Sequence, residues 1–295
     1  MALADIHHPS DLRDLSTDEV IALASEIREF IVQSVSETGG HLGSNLGAVE
    51  LTLALHRVFE SPRDAVLWDT GHQAYVHKLV TGRAPDFARL RQEGGLSGYP
   101  NREESEHDFI ENSHASTVLS YAYGMAVSRD LADLAGETPE HRHIVSVIGD
   151  GSMTGGMAYE ALNNLGHSGR KVIIVLNDNG RSYAPTISPL SIGEENITAA
   201  DKVSGLMSNT LTKIRLNPTY VRRQRRFERF MRRLPAVGKQ AERSVEAVKA
   251  AVREFLQPPG FFEALGIRYI GPIDGHDIEA LEKALRSAEL RVTEG

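Results

Sequence analysis

The sequence predicts an α/β fold in which a parallel sheet is flanked by helices on both faces, and three observations carry that expectation. Residues 144–148 and 172–176 are short, unbroken runs of β-branched and aliphatic residues, the composition of strands covered on both faces. A stretch of helix length separates them. Ala65–Trp68 is a third apolar run of strand length, and strand, helix, strand in this order makes a βαβ unit whose ligands bind beyond the strand C-termini.

The elements follow in chain order. Ser16 and Glu19 fit the S-x-x-E capping pattern, and Val20, Leu23, Ile27 and Phe30 recur at helical spacing, so a helix is expected to about Ser36, stopped by Gly39 and Gly40. Residues 49–59 read as a buried helix leading into the 65–68 strand. Residues 117–134 have a helical pattern with Ala115, Ser116, Ser120, Ala122 and Gly124 along them, small side chains that permit close backbone approach. From 182 to 241 Pro185, Pro189, Pro218 and Pro235 interrupt the pattern, which predicts a long mobile excursion from the sheet. Order is expected to return with a helix at 244–256, a strand at 268–270 and a helix at 278–290.

Composition narrows the function classes. The 295 residues are 41% apolar and 24% charged, ordinary globular values that exclude a collagenous or membrane-spanning chain. With no cysteine, disulfides, thiolate metal sites and cysteine nucleophiles are all excluded. The first fifteen residues carry Asp5, Asp11 and Asp14 and no long apolar run, so neither a signal nor a transit peptide is read there and a cytoplasmic location is expected. Residues 213–243 hold 11 Lys and Arg against Glu228 and Glu242, a net +9 that leaves −17 on the rest of a chain whose formal charge is −8. So acidic a body argues against nucleic acid as a partner. Within the basic run Phe227, Phe230, Met231 and Leu234 fall at i, i+3, i+4 and i+7, which reads as one amphipathic surface or lid helix and not as a membrane anchor. Attraction of phosphorylated substrates is its second reading.

The chemistry concentrates at two strand ends. Gly149-Asp150-Gly151 follows one β-branched run and Asn177-Asp178-Asn179 the next, with Asp150 and Asn179 standing 29 residues apart. An Asp and an Asn at neighbouring strand ends can share one hard cation such as Mg²⁺ together with phosphate oxygens. The glycines let the backbone approach a pyrophosphate, and Thr154-Gly155-Gly156 opens a helix whose amides face that anion. This pairing at this spacing is the signature of thiamine-diphosphate binding. His41 and His72 are suited to moving protons near neutral pH.

Seven blocks together resemble the 1-deoxy-D-xylulose-5-phosphate synthase family: Gly40-His-Leu-Gly-Ser-Asn-Leu-Gly47, Trp68-Asp-Thr-Gly-His-Gln-Ala-Tyr75, Gly94-Gly-Leu-Ser-Gly-Tyr-Pro100, Glu104-Ser-Glu-His-Asp108, the Gly149 and Asn177 motifs, and Gly271-Pro-Ile-Asp-Gly-His-Asp277. The resemblance implies a thiamine-diphosphate-binding fold that needs Mg²⁺. It implies that Asp150, Asn179 and the Arg181 carbonyl hold the metal. Gly151 and Ser152 would meet the pyrophosphate, and His72, Asn179, Tyr269 and the segment Ser113, His114 and Ala115 would lie along the cofactor. That segment reads Ser-His-Ala where the family has Gly-His-Ser. His41 and His72 take catalytic roles by the same resemblance, and His41 and His276 substrate roles. His77 is expected to be structural, because Val76 stands where the family has Pro, and Glu160 is expected to support its motif.

The implied reaction joins a two-carbon unit from pyruvate to D-glyceraldehyde 3-phosphate, giving 1-deoxy-D-xylulose 5-phosphate and CO₂ for isoprenoid and thiamine biosynthesis. The N-terminal subunit of a split transketolase is the alternative enzyme, and a non-catalytic remnant module is the alternative from another class. By the resemblance the whole chain, 1–295, is the diphosphate-binding domain without its last strand. The pyrimidine-binding and C-terminal domains, and with the former the Glu that activates the cofactor ring, are expected to lie elsewhere, in cis or on a separate chain. Glu104, Glu106 and Glu160 are not expected to reach that ring, so the chain alone is expected to be inactive. A homodimer through the small-residue helix is expected.

Overall fold

The computed structural model describes residues 3–178 and 261–294. They fall into two units, 3–178 with 273–294, and 261–272. In the first unit α1 (Thr17–Thr38) begins at the expected capping box: the Glu19 carboxylate accepts from the Ser16 N–H at 2.8 Å and the Ser16 hydroxyl accepts from the Glu19 N–H at 3.4 Å. Then come α2 (Gly43–Leu46), α3 (Val49–Val58), β1 (Ala65–Trp68), α4 (Tyr75–Lys78), α5 (Val118–Ala135), β2 (Ile144–Gly149), α6 (Gly156–Ser168), β3 (Ile173–Asn177) and a C-terminal helix, Ile278–Glu294. Gly136 and Gly169, both at positive φ, end α5 and α6 as left-handed C-caps, where a side chain would be strained.

Among the described residues the sheet is three-stranded and parallel in the order β1-β2-β3, with Ala65 opposite Ile144 and Val145 opposite Ile173. Its side chains divide by parity. Val66, Trp68, Val145, Val147 and Ile173 join one core cluster with Leu51, Leu55 and Val58 of α3 and Leu281 and Leu285 of the C-terminal helix. On the other side α5 packs over β2 through buried Val118, Leu119, Ala122 and Ala126, and α6 packs on α5. Helices on both faces are therefore present as expected. A separate core cluster ties α1, by Leu23, Ile27 and Ile31, to Tyr75, Val76 and Leu79.

Two expectations are corrected. Among the described residues β3 is covered less fully than β1 and β2: Leu176 is 38% exposed and Ile174 half-buried, because α5 packs mainly over β2. Residues 268–270 form no strand; in the second unit a short helix α7 (Phe261–Ala264) is followed by a turn closed by Ile267 N–H to Phe262 O at 2.9 Å, and the chain then runs irregularly with the Tyr269 ring stacked on Phe262 at 5.9 Å. In chain order the C-terminal helix of the first unit is α8. The expected excursion at 182–241 and helix at 244–256 lie outside the described residues. No helix among the described residues is long and apolar enough to cross a membrane.

Candidate functional site

The three strands run parallel, so their C-terminal ends lie along one edge, and hydrogen bonds join the neighbouring segments there. Asp69, the first residue after β1, is fully buried, and its carboxylate accepts from the backbone N–H groups of Ser116 (3.0 Å), Thr117 (3.0 Å) and Val118 (3.1 Å). It thereby caps α5, which has no cap from its own Thr117. The Ser116 hydroxyl in turn donates to the Ser152 carbonyl at 2.5 Å, tying the start of α5 to the helical turn Asp150–Thr154 that follows β2. This contact requires glycine next door, since a Cβ on Gly155 would stand 2.1 Å from the Ser116 Oγ. At the third strand the Asn177 side chain donates to the Gln73 Oε1 at 3.2 Å.

The two histidines meet on the same edge. Asn45 of α2, fully buried, donates through Nδ2 to the carbonyls of His41 (2.6 Å) and His72 (2.8 Å) and accepts the Tyr75 N–H at Oδ1 (2.9 Å). The Tyr75 hydroxyl accepts the His41 N–H at 3.4 Å. The imidazoles of His41 and His72 lie edge to face, their centroids 5.3 Å apart. Burial, and next the neighbouring charge of His41, push the His72 imidazole below its ordinary value, so it is neutral at pH 7. His41 is exposed. The pair thus combines one ring open to solvent and one partly withdrawn from it, with backbone hydrogen bonds setting their spacing.

The other expected residues are placed as follows. Asp150 and Gly151 are half-buried and Ser152 buried in the turn after β2, whose Thr154 hydroxyl donates to the Gly151 carbonyl at 2.7 Å. Ser113, His114 and Ala115 are exposed. His114 Nδ1–H donates to the Ala115 carbonyl at 2.7 Å, while Asn112 accepts the His114 N–H at 2.9 Å. His276 sits apart from the histidine pair in its bonding: its Nδ1 meets Glu50 at 3.1 Å, and Glu50 also accepts from Arg28 at 2.5 Å. Burial raises the Glu50 carboxyl, and the hydrogen bonds from Arg28 and His276 outweigh it and hold the group below its ordinary value. Tyr269 belongs to the second unit. Asn179 and Arg181 lie outside the described residues. His77 is buried in a structural network, as expected, and Glu160 is exposed on α6.

Sequence reasoning passed over Asn45, Asp69 and Ser116, although each lies in or beside a quoted block. Their work is to join segments far apart in the chain, and the only local signals are an Asp directly after a strand and polar residues in turns rich in small side chains.

The edge has polar groups that a ligand could meet. Two buried side-chain nitrogens there, His72 Nδ1 and Gln73 Nε2, have no hydrogen-bond partner among the described residues, and buried polar groups left unmatched are costly unless a ligand meets them. The Asp150 carboxylate supplies the oxygen chemistry a hard cation takes. Among the described residues no cluster of three His, Asp or Glu could hold a metal by itself, so the cation's other ligands would come from elsewhere.

The fold places the chain among proteins built like transketolase. The transketolase of Leishmania mexicana superposes with a TM-score of 0.57 at 17% identity over 94% of this chain and 35% of that one. The transketolase of Campylobacter jejuni does so with 0.56 at 20%, over 93% and 36%. The sequence pattern of the family described as 1-deoxy-D-xylulose-5-phosphate synthase matches residues 3–293. Synthases from Mycobacterium avium (strain 104) and Parafrankia sp. are 53% and 50% identical over 286 and 287 residues, each alignment covering 97% of this chain and 41% of the relative. The chain belongs to the 1-deoxy-D-xylulose-5-phosphate synthase family and spans about two fifths of the length of these relatives.

Proposed function

We propose that this chain is the diphosphate- and Mg²⁺-binding half of a thiamine-diphosphate-dependent transferase that condenses pyruvate with D-glyceraldehyde 3-phosphate to 1-deoxy-D-xylulose 5-phosphate and CO₂. The observation that carries the proposal is the convergence of His41, His72 and the Asp150–Ser152 turn on one sheet edge, through Asn45, Asp69 and Ser116, in a chain of this family. Asp150, with Asn179 and the Arg181 carbonyl, is assigned the metal. The backbone of Gly151 and Ser152 is assigned the diphosphate, and His114 with its neighbours the flank of the cofactor.

When bound, the cofactor supplies the electron sink for decarboxylation and carboligation. The chain's own residues orient, exclude water and handle protons. Neutral His72, with Nδ1 unpartnered, can donate to or accept from a cofactor polar group. Exposed His41, with its position fixed by Asn45 and Tyr75, can take a proton from one substrate oxygen and return it to another. His276, hydrogen-bonded to Glu50, is assigned to the substrate side.

The relatives' greater length supports placing the ring-activating carboxylate in a pyrimidine-binding half, in cis or on a separate chain. The 295-residue chain alone is then without turnover. Assembly as a cytoplasmic homodimer belongs to the same reading. Calorimetry with thiamine diphosphate tests the proposal. Binding in Mg²⁺ is expected to disappear in excess chelator and in Asp150→Ala, while circular dichroism of the variant stays native. Equal affinity in chelator would overturn the metal assignment. CO₂ release from pyruvate on adding a pyrimidine-binding half would confirm the reaction, and synthase product from the chain alone would show that the catalytic acid has been misplaced.

A further inference from the structure

The segment 94–108 takes no part in the chemistry assigned above, yet buried charge fastens it. Asp108, fully withdrawn from solvent at its side chain, accepts from the His77 Nε2–H (2.9 Å), from both terminal nitrogens of Arg83 (2.6 and 3.1 Å) and from the Asn101 N–H (2.8 Å). Glu104 accepts from the buried Lys78 ammonium and from the Ser97 N–H at 2.6 Å. His77 and Lys78 lie on α4, which begins three residues after His72, so both carboxylates moor the segment to the helix that follows the site's second histidine. Burial raises Asp108, and His77 and Arg83 more than offset it, so the group stays ionised and His77 donates to it. The His77 Nδ1 then accepts from His56 Nε2–H at 2.9 Å, which extends the network to α3.

Between these moorings the segment presents Tyr99 and Pro100 to the site. The Tyr99 ring lies 6.5 Å from that of His41, inclined at 56°. Pro100 packs so tightly on Gly71, the residue before His72, that a Cβ on Gly71 would stand 2.3 Å from the proline Cδ. Among the described residues the Tyr99 phenol makes no hydrogen bond; only its backbone N–H is engaged, by Ser97 Oγ at 3.1 Å. The aromatic ring therefore acts as a wall.

We infer that Tyr99 is a positioning residue for the His41–His72 pair, held beside His41 by the buried anchors Asp108 and Glu104, and that by holding the His41 ring over His72 it limits the access of water to His72. The inference rests on the reading of His41 and His72 as the proton-handling pair. The charged groups that bear on His72 are His41 and Asp69, and neither lies on the 94–108 segment. Any response of His72 to a change in that segment must therefore come through solvent access and ring position.

Histidine ring resonances followed against pH by NMR in the 295-residue chain provide the test. In Tyr99→Leu the His72 midpoint is expected to rise by about half a pH unit as water enters, and the His41 resonances to move. Tyr99→Phe should restore both to wild-type values. Asp108→Asn should reproduce the Tyr99→Leu shift, and the double variant should add nothing further, because both act through one ring. Should Asp108→Asn fail to fold by circular dichroism, Glu104→Gln replaces it. Wild-type titration of both histidines in Tyr99→Leu, or additive shifts in the double variant, would overturn the inference. Thiamine diphosphate binding by the wild-type chain is measured in parallel. Its absence would refute the functional reading and leave the histidine result to stand or fall by itself.

Discussion

Replacing Asp69 by alanine should weaken the fold and the site together. The carboxylate satisfies three successive amides at the start of α5, of which those of buried Ser116 and Val118 cannot turn to water and that of half-buried Thr117 can do so in part. An unpaired buried donor costs roughly 1–3 kcal/mol. Two of them, less the relief of no longer burying a carboxylate, give a net loss of about 3 kcal/mol. For a chain of this size that corresponds to a fall in melting temperature of roughly 5 °C. Asp69→Asn should lose about 2 kcal/mol, since it keeps one acceptor oxygen and turns an NH₂ toward the amides. The same change frees Ser116, and with it the hydrogen bond on the Ser152 carbonyl, so the turn assigned to the diphosphate loosens. Urea denaturation gives the stability, and amide hydrogen exchange at 116–118 reports the cap directly. A variant within about 0.5 kcal/mol of wild type, a change ordinary for surface positions, or one whose 116–118 amides keep their protection, would refute the reasoning.

Asp64 predicts an acid-dependent loss. Burial raises its carboxyl, but the hydrogen bonds from His143 and Arg142 prevail and lower it to about 2. Because the folded value lies below the unfolded one, this stabilisation, about 2 kcal/mol, is complete above about pH 4 and is lost as the pH falls through about 2. Asp64→Asn should flatten the stability profile in that window, and an unchanged profile would count against it. Gly71→Ala, at φ +81° and against Pro100, should cost several times more than Gly39→Ala, at φ +76° with open space around it, where about 1 kcal/mol is expected; equal thermal shifts would contradict this. Gly155→Ala should leave backbone dihedrals unstrained yet displace Ser116, abolishing cofactor binding in calorimetry with little change in helix content, and retained binding would disprove the contact's role.

How much of this was readable beforehand depends on the range of the interactions. β1 and β2 were legible because a strand buried on both faces must be apolar at every position, and residues 65–68 and 144–148 are nearly so. The same rule over-read β3, since an apolar sequence does not reveal that, among the described residues, Ile174 and Leu176 stay partly open to solvent. Residues 268–270 were over-read on strand propensity, since Tyr269 stacks on Phe262 instead of pairing in a sheet. His41, His72, Asp150 and Ser152 were found through local motifs. Asp69 and Ser116 escaped, because the meaning of an Asp after a strand emerges only when the amides of a helix 47 residues later arrive above it. Asn45 escaped for the same reason, its two carbonyl partners belonging to different loops.

The order of strands also bears on the order of events in folding. β2 finds β3 across a short crossover, Val145 pairing with Ile173, whereas β1 must wait for Ile144 to be brought back to Ala65 over a stretch that includes the whole 94–108 segment and α5. Closing the longer loop costs only roughly 1 kcal/mol more in chain entropy, so the insertion hardly taxes the finished molecule. Its effect is on time, since pairings distant in sequence slow the search. The β2–α6–β3 unit can form as a local nucleus, while Asp69 and His72, which follow β1, reach the edge only when that last strand docks. The edge that carries His72 is thus expected to form late in folding, after β1 has paired with β2.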